Sequence, residues 1–256
     1  MNTRIATIAR FTILEALRTR LPVLAVIVIG TLLASSFFVR EITIAESARF
    51  QTAFYAASVR FAMVFLVSLY AIASIAREFQ DKVLDVALAL DLPRAHYVIG
   101  KIAGFLAIAA MLAAIAALPL LPLAGWEAVA QWAMALAFEL AVVVALSVFC
   151  VITFNQVMPA ASIVIAFYLL ARALTAIRLI GANPVAGADA VSHQVMVWLI
   201  EALALAVPAL DGWTRTAWLV DGPAAWTALL GIAAQGGLFV VILTTAAVFD
   251  MHRRNF

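Results

Sequence analysis

Six stretches of this chain are too long and too apolar to sit in water. Segments 21–39, 56–76, 101–123, 133–153, 157–180 and 224–249 each exceed the roughly 18 residues that mark a membrane-crossing helix. The 256 residues are 67% hydrophobic and 12% charged, with a mean hydropathy of +1.12. A soluble fold of this length has too little interior to hide so much apolar surface. The runs lack strict alternation, so they read as helices rather than barrel strands. The expectation is one all-α integral membrane domain over residues 1–256, with six spans. No repeat or linker divides it, and the lone Cys150 has no partner for an intrachain disulfide.

Orientation follows from where the cations fall. With the N-terminus cytoplasmic, the inner segments carry Arg4, Arg10, Arg18, Arg20, Arg77, Lys82, Arg94, Lys101, Arg253 and Arg254. The outer loops carry only Arg40, Arg49 and Arg215. Arg60, Arg172 and Arg178 fall in the outward parts of spans. All six tryptophans, Trp126, Trp132, Trp198, Trp213, Trp218 and Trp226, lie on the outer side of the same topology, where an aromatic belt is expected. Both termini are then cytoplasmic. Segment 194–210 is short and interrupted by Glu201 and Pro208, so it reads as a helix lying on or dipping into the outer leaflet, within an outer loop at 181–223. The first 20 residues hold four arginines and Glu15. They read as a retained helix at the cytoplasmic membrane surface rather than as a signal peptide.

Against this oily background, residues 77–104, REFQDKVLDVALALDLPRAHYVIGKIAG, hold eight charges. Phe79, Val83, Val86 and Leu90 fall on one helical stripe, and Glu78, Asp81, Lys82 and Asp85 on a polar face. Pro93 closes the helix, because it has no N–H and disfavours helical geometry at Leu92. Arg94, His96, Tyr97 and Lys101 then lead into the third span. Two readings stand side by side: a solvated loop obeying the charge rule, or a docking surface for a soluble partner.

The run from Arg77-Glu78 through LDVALALDLPRAHYVIGK resembles the motif of type-2 ABC exporter permeases. In that family an Arg-Glu pair ends the second span, and a leucine-rich amphipathic helix follows. A proline with a basic neighbour comes next, and a Gly-Lys pair opens the third span. Arg77, Glu78, Leu84, Leu88, Pro93, Arg94, Gly100 and Lys101 stand at matching positions. Asp81-Lys82 replaces the small pair usual after Arg-Glu, and the proline turn is shorter. In the outer loop, ALAVPALDGWTRTAWLVDG resembles the subgroup linked to multicopper-enzyme maturation.

The resemblance implies an exporter subunit in a bacterial inner membrane, paired with a second copy or a homologous permease. A separate ATP-binding cassette ATPase would dock on a coupling helix within 77–100. Arg77, Glu78, Asp81, Lys82, Asp85, Pro93, Arg94 and Lys101 would form that contact. ATP and magnesium would be bound by the partner, with no cofactor in this chain. No G-x-x-x-x-G-K-[ST] loop occurs, so the chain is not expected to hydrolyse ATP alone. The alternatives are a membrane-embedded enzyme, or a scaffold using loop 181–223 to mature an extracytoplasmic protein.

Glu139 and Arg172 are the ionisable residues deepest in the spans, at depths that let adjacent antiparallel helices pair them. Intramembrane charge costs roughly 2.5–3.5 kcal/mol per residue on insertion scales, so each needs a reason to be there. A structural pair and a substrate or gating role are both open. Gly100 and Gly104 form a G-x-x-x-G suited to close helix packing, which chance alone would also supply in so alanine-rich a chain. His96, His193 and His252 are scattered, so no metal site is expected. Asn155-Gln156 reads as turn and capping chemistry.

Overall fold

The computed structural model describes residues 2–44, 46–81, 93–182 and 190–253. Among these, regular structure is entirely helical: α1 (Asn2–Arg18), α2 (Leu21–Ile42), α3 (Ser47–Gln80), α4 (Arg94–Ala117), α5 (Trp126–Phe154), α6 (Val157–Ala182), α7 (Ala190–Ala206), α8 (Ala217–Val220) and α9 (Trp226–Arg253), with short 3-10 turns at Leu118–Leu120 and Leu210–Gly212. Six of them, α2, α3, α4, α5, α6 and α9, are long and apolar enough to cross a membrane. Lys82, Asp85 and the middle of the expected coupling helix lie outside the described residues, as do 183–189 of the loop.

The helix ends have local causes. Pro119 cannot donate to the helix ladder, and α4 tightens into a 3-10 turn around it. Asn155 ends α5 in the left-handed conformation at φ 57°, its N–H donating to the Val151 carbonyl at 3.0 Å. Asparagine tolerates that geometry better than most residues. The helix α3 is 34 residues long, or about 50 Å at 1.5 Å per residue. That length overshoots the roughly 30 Å hydrocarbon layer.

The centre of the bundle is α5, which packs against α3, α4, α6, α8 and α9. Its run from Val142 to Val148 is buried on every face, as a helix apolar all round should be. By contrast α2 and α9 leave most of their apolar surface on the outside of the molecule.

The least local feature is the seat of α1. It packs along α4 rather than staying with α2, its neighbour in sequence. The contact runs over Gly100 and Gly104. A Cβ on Gly100 would lie 2.7 Å from the Cβ of Ile8. One on Gly104 would lie 2.6 Å from the Cβ of Thr12 and 3.0 Å from the Ala9 carbonyl. Ile5, Ile8, Thr12 and Ala16 thus form the packed stripe of α1, and the two glycines are the groove that receives it.

The expected effect of Gly104→Ala is a loss of about 1–3 kcal/mol, because the Thr12 Cβ, fixed directly to its helix, and the Ala9 carbonyl cannot step aside without moving α1. Gly30, with open space where its Cβ would go, is the matched control. Gly30→Ala should raise stability slightly through helix propensity. Melting of the two variants in the same detergent checks the pair.

Candidate functional sites at the two ends of the bundle

At the end where Arg77, Arg94 and Arg253 lie, Lys101 is the organising residue. Its side chain is 6% exposed, and its ammonium is paired with Glu78 of α3 and lies 3.6 Å from Glu15 of α1. The Tyr97 hydroxyl donates to the other oxygen of Glu78 at 2.5 Å, and the Ser74 hydroxyl donates to Glu15 at 3.1 Å. Three helices are joined by one cation and two carboxylates. Because the amine is buried, these contacts are screened far less than surface pairs.

The other residues expected at the partner contact are placed differently. Arg77, Asp81 and Pro93 are exposed at this end. Arg94 lies across the C-terminus of α9, donating to the carbonyls of Met251 at 3.1 Å and His252 at 3.3 Å. There it neutralises the negative end of the helix dipole. Glu78 and Lys101 therefore face each other inside the protein, while Arg77 and Asp81 form free surface.

The opposite end is built around segment 207–225, which folds back into the bundle. Val207, Leu210, Trp213, Thr214, Trp218 and Leu219 are buried. Gln131 of α5 fixes the segment by a two-way amide pairing with Ala224: its Nε2 donates to the carbonyl at 3.0 Å, and its Oε1 accepts from the N–H at 2.8 Å. The Trp213 ring lies over Gly236, and its Nε1 donates to Gln235 at 3.2 Å. Trp132, Trp213 and Trp218 are thus core residues rather than members of an aromatic belt, whereas Trp126, Trp198 and Trp226 are exposed. Composition alone does not separate these two uses of tryptophan.

Behind this segment the structure brings Glu139 and Arg172 together. Arg172 Nη1 lies 3.6 Å from Glu139 Oε1, and Glu139 is fully buried. Glu139 also accepts from the Tyr168 hydroxyl at 3.0 Å and from the Thr214 hydroxyl. Arg172 donates to the Leu210 carbonyl at 2.8 Å. A second arginine, Arg60 of α3, donates to the Thr214 carbonyl at 2.8 Å and is 8% exposed. Two guanidiniums and one carboxylate, on three different helices, hold residues 210–214 in place.

Sequence reasoning missed Arg60, Tyr168 and Thr214 as members of this cluster, and Glu15 and Tyr97 as partners of Lys101. An arginine within an apolar helix was itself a usable signal for Arg60. Nothing local marks Thr214, which is brought in by a loop.

The sequence matches no protein-family model and no curated protein.

Proposed function

We propose that this chain is the membrane subunit of a transporter of the type-2 ABC exporter permease kind, energised by a separate ATP-binding cassette subunit. The observation that carries this reading is the Lys101 cluster. It joins the end of α3, the start of α4 and α1 at one point, so the two ends of segment 81–93 are anchored in one rigid corner. A push on that segment is therefore transmitted directly to two membrane-crossing helices and to α1. Arg77 and Asp81, exposed at its start, supply charged contacts, and the sequence leads us to expect Lys82 and Asp85 to add to them. In this reading the basic end faces the cytoplasm of a bacterial cell, and α1 lies at the membrane surface. A second permease copy completes the path, and α7 lies at the outer leaflet.

The test is purification of the chain from its native host in mild detergent, with identification of the proteins that accompany it. An ATP-binding cassette protein in stoichiometric amount is expected, and its repeated absence overturns the proposal. A second measurement separates docking from topology. Asp81→Lys is expected to reduce stimulation of the partner ATPase severalfold while leaving membrane insertion and melting unchanged. Orientation depends on Lys and Arg, and Asp81 is exposed. Unaltered stimulation by both Asp81→Lys and Arg77→Glu would reduce 77–81 to a solvated loop end.

A further inference from the structure

We infer that the outward face of α1 is a recognition surface for anionic phospholipid headgroups in the leaflet it adjoins. The inference goes beyond the transporter reading and does not rest on it.

The first observation is how α1 divides its residues. On one face Ile8 and Thr12 pack over Gly100 and Gly104, Ala16 is buried, and Glu15 reaches toward Lys101. The opposite face carries Arg10, Phe11, Leu14, Leu17 and Arg18, all exposed. Phe11 is 68% exposed and Leu17 46%, so the bundle itself does not cover them. Arg10, Leu14 and Leu17 stand at i, i+4 and i+7, and Arg18 follows Phe11 by seven residues on the neighbouring line. Arginines thus border an apolar strip, the pattern of a helix lying in a headgroup layer.

The second observation is the sign of the charge. Glu15 is the one carboxylate of α1, and it is turned inward to Lys101 and Ser74. The outward face therefore carries cations alone, and exposed Arg20 extends it just past the helix end. Any phospholipid would satisfy the apolar strip. Uniform positive charge beside that strip selects a headgroup of net negative charge. A guanidinium also suits phosphate, which it can grip with two parallel hydrogen bonds.

The third observation is continuity with the bilayer. After Arg18 only Thr19 and Arg20 intervene before α2 starts at Leu21 as a helix long and apolar enough to cross a membrane. Its first turns expose Val23, Leu24, Val26 and Ile27, a surface for lipid tails. The cationic strip is held where that apolar surface begins. Lipid there offers phosphate to the arginines and hydrocarbon to Phe11, Leu14 and Leu17, which a soluble acidic protein would not.

The test is hydrogen exchange on the whole chain, one copy per nanodisc, in two lipids. One is phosphatidylcholine alone, and the other is equal parts phosphatidylcholine and phosphatidylglycerol. Each engaged arginine should add roughly fivefold to the protection of α1, so the anionic lipid should slow its exchange up to about 100-fold. The centre of α5 should not change. Arg10→Gln combined with Arg18→Gln should cut the gain to about fivefold or less. Arg10→Lys combined with Arg18→Lys should keep most of it, because the attraction is chiefly to charge. Both positions are exposed, so neither pair of substitutions removes packing. Leu14→Asn should lower the protection of α1 in both lipids. Equal protection of α1 in the two lipids, or a gain undiminished in the glutamine pair, overturns the proposal. So does protection that appears in phosphatidylcholine alone when two copies share a nanodisc, which would assign the face to a second copy.

Discussion

Glu139→Leu is expected to be among the most destabilising single substitutions in this protein, costing about 3–5 kcal/mol. The leucine would fit an apolar helix face, so the loss comes from what is left behind. Arg172 and Arg60 would face each other with no anion between them, and the Tyr168 and Thr214 hydroxyls would lose their acceptor. Glu139→Gln should fall between wild type and leucine, since the amide oxygen still accepts one of those hydroxyls while the charge is gone. The double variant Glu139→Gln, Arg172→Gln should recover part of the loss, because removing both charges is cheaper than stranding one. The measurement is reversible unfolding in mixed micelles, with protease sensitivity of residues 207–225 as a local readout. A Glu139→Leu protein as stable as wild type would mean that this buried pair contributes nothing to holding the segment.

Lys101→Met is the second large effect, expected at about 3 kcal/mol. The lower end of the range applies because Glu15 is one-third exposed and keeps some hydration. Methionine conserves the volume and apolar stem of lysine, so packing against α1 is largely preserved. Two carboxylates, Glu15 and Glu78, would then stand near each other without a cation. Glu78→Gln in the Lys101→Met background should restore stability by relieving that repulsion, which simple loss of packing would not allow. The location of the damage also differs from that of Glu139→Leu. Loosening should concentrate in α1 and the ends of α3 and α4, which hydrogen exchange resolves helix by helix.

Much of the architecture was legible one residue at a time. Hydropathy identifies six apolar helices because burial in lipid is a property of composition along a single segment. It underestimates their ends: α3 starts at Ser47 rather than near 56, and α5 at Trp126 rather than near 133. Hydropathy reports where the bilayer lies, and a helix continues past it wherever its backbone bonds remain satisfied. Depth along two helices was enough to suggest that Glu139 and Arg172 could meet. The same reasoning treated Lys101 and Glu78 as separate surface charges. Their union depends on how α3, α4 and α1 cross, and no spacing within 77–104 encodes that. Gly100 and Gly104 show the reverse case. The motif was visible, but its partner was α1, a helix about 90 residues earlier whose stripe of Ile5, Ile8 and Thr12 is modest by itself.

That last contact has a consequence in time. The groove that seats α1 does not exist until α4 has been made, and about 90 residues separate Thr12 from Gly104. At synthesis rates of about 5–20 residues per second, the N-terminal helix waits roughly 5–20 s for its partner. Through that interval α1 must be kept at the lipid surface or by the insertion machinery, with Phe11, Leu14 and Leu17 exposed along its other face. The helix α1 thus reaches its final packing only after α2, α3 and the start of α4 have been made.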